Sequence, residues 1–209
     1  MKKGIFIVLE GPDRSGKSTQ AALLKAWIEK EFNREVLLTR EPGGTSVAEK
    51  VRKILLDPKS RISPLTELFL YETSRAQHTM EKILPALKAG KVIISDRYTL
   101  STVAYQGYGR GLDLKIIDTL NGIATLRLKP DLTVVFTIPD KIFAERERIA
   151  QKVFGPDRIE SEPAAFRLRV NRAYKLLARK PGMTRVDAGR SIDEIQSDIR
   201  ARVARLLGK

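Results

Sequence analysis

The chain has 209 residues, 42% of them hydrophobic, no cysteine and a formal net charge of +14. This length predicts one compact domain, and the lack of cysteine excludes disulfides and thiolate metal sites. The apolar runs are too short to cross a membrane and the N-terminus lacks a signal-peptide pattern, so we expect a soluble, cytoplasmic protein without a membrane partner. The cations are scattered along predicted helices and only 6% of residues are aromatic, which favours a small anionic ligand over nucleic acid.

Strand-like and helix-like stretches alternate along the chain. The predicted elements, in order, are strand 5–9, helix 17–32, strand 35–39, helix 46–56, helix 64–89, strand 91–95, helix 114–126, strand 132–137, helix 140–152, helix 163–178, strand 184–186 and helix 192–207. Pro85 is expected to kink or break the longest helix. The alternation predicts an α/β fold in which a five-stranded parallel sheet has helices on both faces. No linker divides the chain, so residues 1–209 are predicted to form a single domain.

A phosphate-binding loop follows the first strand directly. The loop matches G-x-x-x-x-G-K-[ST] and consists of Gly11, Pro12, Asp13, Arg14, Ser15, Gly16, Lys17, Ser18 and Thr19. A strand before this motif and a helix after it are the context of the P-loop NTPases. Gly11 and Gly16 let backbone N–H groups point at phosphate oxygens, and Lys17 neutralises the β- and γ-phosphates. The hydroxyl of Ser18 is expected to ligate Mg²⁺.

Kinases, GTPases, motors and transporters all use P-loops. The guanine-specificity pattern N-K-x-D is absent, which argues against a GTPase, and a motor would normally need a longer chain. A small acceptor kinase needs a second anion site with arginines, because both of its substrates carry negative charge. A P-loop kinase for another nucleoside or monophosphate, and a basic nucleic-acid-binding ATPase, stay open as alternatives.

Three further segments have the composition of that second site. They read REPGGT at 40–45, YETSRAQH at 71–78, and DRY at 96–98 with STVAYQG behind it at 101–107. The first and the last follow predicted parallel strands, at the end where open α/β sheets bind ligands. Together with the P-loop, and in this order, these segments make the chain resemble thymidylate kinase from the P-loop to residues 157–160. The resemblance implies phosphorylation of dTMP to dTDP with ATP and Mg²⁺, in dTTP biosynthesis, by a homodimer.

The resemblance also implies a role for each acceptor-site residue. The implied substrate-binding residues are Glu41, Pro42, Tyr71, Arg75, Arg97, Thr102, Tyr105 and Gln106. Arg75 and Arg97 would clamp the 5′-phosphate, although each alone could equally be a surface ion pair. Tyr71 stands where the family usually stacks a phenylalanine on the thymine ring. Thr102 and Gln106, at i and i+4, would share one base edge, and Tyr105 would exclude a 2′-hydroxyl.

The catalytic arginine lies either in the P-loop or in a mobile lid in this family. The common bacterial lid reads roughly R-G-x-x-D-R, whereas residues 152–158 here read KVFGPDR without the arginine–glycine pair. The resemblance therefore implies that Arg14 stabilises the charge on the transferring phosphoryl group. Lys17, Asp13 and Arg97 would complete the catalytic set, with Asp13 reaching the sugar or phosphate of the acceptor.

Three further assignments follow from the resemblance. The lid is expected near residues 147–160, and Arg146, or Arg148 if the lid alignment is shifted, is the candidate for contacting adenine. Asp96 would act on Mg²⁺ directly or through water, with a helix cap as the alternative. His78, the only histidine, has no obvious triad partner or metal ligand beside it in the sequence and is expected to be structural.

Overall fold

A single parallel sheet forms the centre of the protein, in a computed structural model that describes residues 3–153 and 157–208. The strands are β1 (Ile5–Glu10), β2 (Val36–Arg40), β3 (Val92–Asp96), β4 (Leu132–Thr137) and β5 (Met183–Asp187). Their order in the sheet is β2-β3-β1-β4-β5, and every neighbouring pair is parallel. The predicted five-stranded parallel sheet is confirmed.

Helices cover both faces of this sheet. They are α1 (Lys17–Phe32), α2 (Ser46–Leu56), α3 (Pro64–His78), α4 (Leu84–Lys88), α5 (Thr99–Thr102), α6 (Leu114–Ala124), α7 (Asp140–Val153), α8 (Ala164–Leu177) and α9 (Ile192–Leu207). Two π-helical segments, Thr79–Ile83 and Val103–Gly109, continue α3 and α5. Over the described ranges, no helix combines the length and the apolar character that a membrane crossing requires.

The core follows from the alternation of side chains along β1. Ile7 points to one face of the sheet, where it packs with Leu24 of α1 and Ile199 of α9. Phe6, its neighbour, points to the other face and packs with Ile83 beside α4. Because successive residues of a strand point in opposite directions, a continuous apolar strand must be covered on both sides.

Two helical regions differ from the sequence prediction. The helix predicted over 64–89 is interrupted by the π-helical turn Thr79–Ile83, which lies just before Pro85. Proline lacks an N–H group and its ring clashes with the carbonyl four residues earlier, so the helix accommodates it by a wider turn instead of ending. The helix over 99–109 was not predicted, because Gly107 and Gly109 are typical helix breakers in sequence. Other predicted boundaries agree within two residues.

The carboxyl ends of all five strands lie on the same side of the sheet, because every neighbouring pair is parallel. β1 lies between β3 and β4, and the chain leaves β1 towards β2 but leaves β3 towards β4. The loops after β1 and β3 therefore diverge, which opens a crevice of the kind in which α/β proteins bind ligands. Of the predicted lid at 147–160, the first part belongs to α7, and residues 154–156 lie outside the described residues.

Candidate active site

The P-loop has the backbone conformation that its glycines predict. Gly16, at the N-terminus of α1, has φ 85°, and a side chain at Gly11 would lie 2.8 Å from Cβ of Phe136. Both positions therefore require glycine, one for its left-handed backbone and one for close approach. Arg14 also has a positive φ, 61°, which a residue with a side chain rarely adopts.

Lys17 is held inside the loop that it would serve. Its Nζ donates to the carbonyl of Pro12 at 2.8 Å and to Oγ of Ser15 at 3.3 Å. Burial is the main reason that the pKa of Lys17 falls to about 8, and the nearby charge of Arg97 adds to the effect. A phosphate in the loop would reverse this shift by supplying negative charge.

Ser18 and Asp96 meet at the mouth of the P-loop, as a magnesium site requires. Oγ of Ser18 donates to Oδ2 of Asp96 at 2.6 Å, and Oδ1 of Asp96 is buried without a partner. The described residues contain no group of three or more His, Cys, Asp or Glu side chains placed for a metal. A hydroxyl, an unpartnered carboxylate oxygen and space for phosphate oxygens fit Mg²⁺, which usually keeps several waters and few protein ligands.

Arg97 lies between the P-loop and the acceptor segments. Its Nη1 donates to the carbonyl of Gly11 at 3.0 Å, and its Nη2 donates to the carboxylate of Asp13. The Tyr105 hydroxyl donates to the other oxygen of Asp13 at 2.6 Å and lies 3.2 Å from Arg97. Burial opposes ionisation of Asp13, but Arg97, Lys17 and Tyr105 outweigh it and lower its pKa to about 2. Asp13 is therefore a carboxylate at any physiological pH.

Arg75 is deeper in the protein, and its charge is already neutralised. Nε donates to Glu41 at 2.8 Å and Nη1 donates to Glu72 at 2.6 Å, while the side chain is 2% exposed. Thr102 and Asn121 accept from the same Nη1, each at 2.7 Å. A guanidinium between two buried carboxylates has little net charge to offer a phosphate.

One cleft brings all eight predicted substrate residues together. The lining residues predicted from the sequence are Asp13, Glu41, Pro42, Tyr71, Arg75, Arg97, Thr102, Tyr105 and Gln106. Arg52, Leu56, Ser101, Asp157 and Ile159 complete the wall. The cleft has a polar end at Asp13 and Arg97 and an aromatic wall at Tyr71.

A second cleft lies over the P-loop and joins the first. It is lined by Asp13, Arg14, Gly16, Lys17, Ser18, Thr19, Arg40, Glu41, Arg52, Asp96 and Arg97. Both clefts share Asp13, Glu41, Arg52 and Arg97, so these four side chains mark the junction. Arg75 lines only the inner cleft and is not at the junction.

Arg52 is the functional candidate that the sequence analysis missed. It belongs to α2 and is half-buried, and its Nη1 donates to the carbonyl of Pro42 at 2.9 Å. Burial, with help from the charge of Arg40, lowers the pKa of Arg52. Nothing in the local sequence separates this arginine from the many other cations on predicted helices. Only the packing of α2 beside the crevice places Arg52 among the site residues.

Arg14 and Arg146 lie on the outer side of the P-loop. Nη2 of Arg14 donates to Glu160 at 2.9 Å, which connects the loop to the end of the predicted lid. Arg146, on α7, donates to the carbonyl of Arg14 at 3.1 Å and to that of Ala188 at 2.9 Å. Arg146 therefore bridges the P-loop and the loop after β5, two segments that could flank a nucleotide base.

Arg158 is held away from the P-loop. It is 9% exposed, and its Nη1 lies 2.7 Å from Glu67, a fully buried carboxylate of α3. Its Nε donates to the carbonyl of Leu55 at 2.7 Å. Glu67 also accepts from Gln106 at 2.9 Å and from Arg110 at 2.8 Å. One buried carboxylate thus connects the end of the predicted lid with the acceptor cleft.

His78 is fully buried between two polar groups. Its Nδ1 lies 2.9 Å from Glu41 and its Nε2 lies 2.7 Å from the hydroxyl of Thr39. Neither cleft is lined by His78. These contacts support the predicted structural role, since the histidine connects α3 to the loop after β2 and orients Glu41.

Comparison with known proteins agrees with this geometry. The family model described as "Thymidylate kinase" matches residues 9–199. A thymidylate kinase of Gloeobacter violaceus is 47% identical over 201 residues, covering 95% of this chain and 94% of that protein. One from Halothermothrix orenii is 43% identical over 197 residues, covering 94% and 95%. The crystal structure of thymidylate kinase from Ehrlichia chaffeensis aligns with a TM-score of 0.77 and 30% identity, covering 96% of this chain and 98% of that one.

These matches span almost the whole chain. The chain belongs to the thymidylate kinase family.

Proposed function

We propose that the protein transfers the γ-phosphoryl group of ATP to dTMP, giving ADP and dTDP. The observation that carries the proposal is the junction of the two clefts. The cleft over the phosphate-binding loop and the cleft lined by the acceptor residues share Asp13, Glu41, Arg52 and Arg97. An in-line phosphoryl transfer needs such a meeting point of donor and acceptor.

The donor side would hold ATP with Mg²⁺. Backbone N–H groups of the P-loop and the positive end of α1 favour the phosphates, and Lys17 adds a charge. Ser18 and Asp96 would hold the metal, which supplies charge neutralisation at the phosphates. Arg146 would contact adenine, because it lies between the P-loop and Ala188.

At the acceptor phosphate, Arg97 would be joined by Arg52 instead of Arg75. Arg97 and Arg52 both line the junction, whereas Arg75 is neutralised by Glu41 and Glu72. A phosphate that approaches Arg97 would compete with Asp13 for its donors. Two arginines facing one phosphate provide the planar donor pairs that suit it.

The base would lie in the inner part of the acceptor cleft. The amide nitrogen of Gln106 donates to Glu67, so the amide oxygen of Gln106 points away from Glu67. This oxygen could accept the N3–H of thymine, while Arg75 donates to a thymine carbonyl. Tyr71 would stack on the ring, and Tyr105 would crowd the 2′ position of the sugar.

The reaction needs no strong general base, because the attacking group is already a phosphate oxygen. Positioning and electrostatic stabilisation can carry the catalysis. Arg14 would supply the transition-state charge after it leaves Glu160. The single domain would then work with a lid near residues 147–160.

We also propose a homodimer. Apolar side chains are exposed on α3 and on α6, which pack against each other. Leu65, Phe69, Ile116 and Ile123 are each about half exposed or more. An exposed apolar face on two packed helices favours association with a second copy. The cytosol is the proposed compartment, since no cysteine requires an oxidising environment.

A panel of nucleoside monophosphates tests the proposed reaction. ADP release, measured in a coupled assay, should be far greater with dTMP than with UMP, CMP, AMP or GMP. Equal activity with a purine monophosphate would contradict the proposal. If DNA or RNA stimulated ATP turnover and dTMP did not, the protein would be a nucleic-acid-dependent ATPase.

A further inference from the structure

Glu10 is a fully buried carboxylate directly before the P-loop, and the reaction as described above does not use it. It is the last residue of β1 and has no exposed surface. Burying a carboxylate is costly unless its oxygens are well satisfied by donors. Burial accordingly raises the pKa of Glu10, against the opposing effect of Ser101 and Arg97.

The two oxygens of Glu10 have different partners. Oε1 accepts from the backbone N–H of Tyr98 at 2.8 Å and from that of Ser101 at 3.2 Å. Oε2 accepts from the hydroxyl of Ser101 at 2.7 Å and from that of Tyr174 at 3.2 Å. One oxygen thus secures the backbone after β3, and the other faces only hydroxyl groups.

The same two hydroxyls also contact Arg97. Nη1 of Arg97 lies 3.1 Å from the oxygen of Ser101 and 3.1 Å from that of Tyr174, and these two oxygens lie 2.9 Å apart. An arginine can only donate, and all four contacts of Glu10 use its oxygens as acceptors, as an ionised carboxylate does. The hydroxyl hydrogens must therefore point towards Glu10, directly or through each other, which leaves their lone pairs for Arg97.

We propose that Glu10 is a positioning residue that acts through Ser101 and Tyr174 to aim Arg97 at the acceptor phosphate. The inference rests on the proposed role of Arg97 in binding that phosphate. Arg97 has φ 79°, a backbone conformation that is rare for arginine, so its placement depends on the surrounding contacts. A donor group in place of Oε2 would turn one hydroxyl hydrogen towards Arg97 and repel it.

Glu10→Gln makes this change with almost no change in shape. The amide oxygen can still accept the two backbone N–H groups, and only the group facing the hydroxyls changes from acceptor to donor. We expect the dissociation constant for dTMP to rise at least tenfold, measured by calorimetry, while that for ATP stays within about twofold. The melting temperature should not fall, because a neutral amide avoids the cost of burying a charge.

A double-mutant cycle separates positioning from a general structural effect. Arg97→Met alone should weaken dTMP binding, and Glu10→Gln added to it should cost little more. Ser101→Ala and Tyr174→Phe should each weaken dTMP binding as well, but less than Glu10→Gln does. Asp131→Asn is the matched control. Asp131 also accepts a hydrogen bond from a backbone N–H of β1, that of Phe6 at 2.9 Å, but it lies at the amino ends of the strands, away from the crevice. It should bind both nucleotides normally.

Unchanged dTMP affinity in Glu10→Gln would overturn the inference. So would an equal loss of ATP affinity in that variant, or a loss of dTMP affinity from Glu10→Gln that is as large in the Arg97→Met background as in the parent chain. Normal dTMP affinity in Arg97→Met itself would overturn the proposed phosphate contact. The two failures are therefore distinguishable.

Discussion

Two arginines of the site have a strained backbone. Arg14 and Arg97 have positive φ values of 61° and 79°. Side-chain-bearing residues in this region of φ/ψ space cost about 1–3 kcal/mol each, and they persist where the surrounding structure and function demand them. Both arginines sit in loops that follow central strands, where a side chain must turn sharply towards the crevice. Substitution of either arginine can therefore change activity and stability in different directions.

Arg14→Gly should abolish most turnover without destabilising the protein. If Arg14 stabilises the transition state, kcat should fall at least about 10³-fold with small changes in substrate affinity. Glycine relieves the strained backbone, so the melting temperature should stay level or rise. Steady-state kinetics and thermal melting test this, with the exposed lid residue Arg148 changed to Ala as the control. Normal kcat in Arg14→Gly together with lost activity in Arg148→Ala would place the catalytic charge in the lid.

Arg75→Ala should be mainly a stability variant. It would leave Glu72 and Glu41 buried without their arginine, and breaking a buried ion pair in this way costs about 3–5 kcal/mol. Urea unfolding should show this loss, whereas Arg40→Ala, which removes an exposed pair with Glu49, should cost less than about 1 kcal/mol. Full stability of Arg75→Ala would contradict this prediction.

ATP affinity should depend on the protonation of Lys17. Its pKa in the free protein is about 8, lowered by burial and Arg97, and bound phosphates should raise it. Below pH 8 the protonated form already predominates, so affinity should be constant. Above pH 8 binding must take up a proton, and the dissociation constant should rise about tenfold per pH unit. Calorimetry in two buffers with different ionisation enthalpies would count the proton, and constant affinity between pH 7 and 9.5 would contradict the prediction.

At the scale of elements, π-helical turns shape the acceptor cleft. Val103–Gly109 includes Tyr105 and Gln106, and Thr79–Ile83 follows the helix that includes Arg75. A π turn widens the helix and rotates the side chains that follow it, and such turns are frequent at functional sites. The i and i+4 spacing of Thr102 and Gln106 therefore indicated a shared face but not the exact direction of either side chain.

Arg158 should stabilise the end of the lid segment instead of acting in catalysis. It connects residues 157–160 to Glu67 of α3 and to the carbonyl of Leu55 in α2. Arg158→Ala should lower the free energy of unfolding by about 1.5–3 kcal/mol, the usual value of hydrogen bonds to charged groups. Arg172, which is largely exposed and 4.0 Å from Asp140, is the matched control, and its change to Ala should cost less than about 0.5 kcal/mol. If Arg158→Ala and Arg172→Ala were equally stable, Arg158 would not stabilise the end of the lid segment.

At the scale of the whole molecule, the parallel sheet collects the functional loops at the carboxyl ends of its strands. The P-loop and the REPGGT and DRY segments all follow strands at the carboxyl edge, so one crevice collects them. The exposed apolar face of α3 and α6 lies on helices beside this crevice.

Phe69→Asp should convert the proposed dimer into a monomer. A charge in an apolar interface would have to be buried without a partner, which is strongly unfavourable. Size-exclusion chromatography with light scattering should show a dimer for the parent chain and a monomer for this variant. Ile192→Asp changes an equally exposed apolar residue at the start of α9 and should stay dimeric. A monomeric parent chain would rule out the dimer.

Local motifs and apolar periodicity by themselves determined the fold class, the P-loop and the family. Strand 5–9, Gly11 and Gly16 could be interpreted directly, because their roles depend on neighbours in sequence and on backbone conformation. The same holds for Ser18, which has a defined place in the motif. Element boundaries followed within two residues wherever no proline or glycine altered the helix.

Only the tertiary structure decided which charges are free and which are neutralised. Arg75 and Arg52 look alike in the sequence, yet one lies between two buried carboxylates and the other lines the junction. Glu10 and Glu67 are ordinary acids in sequence but are fully buried and organise other side chains. The reason is physical: the electrostatic role of a side chain depends on its burial and its partners, and many of those partners are distant along the chain, up to 164 positions for Glu10 and Tyr174.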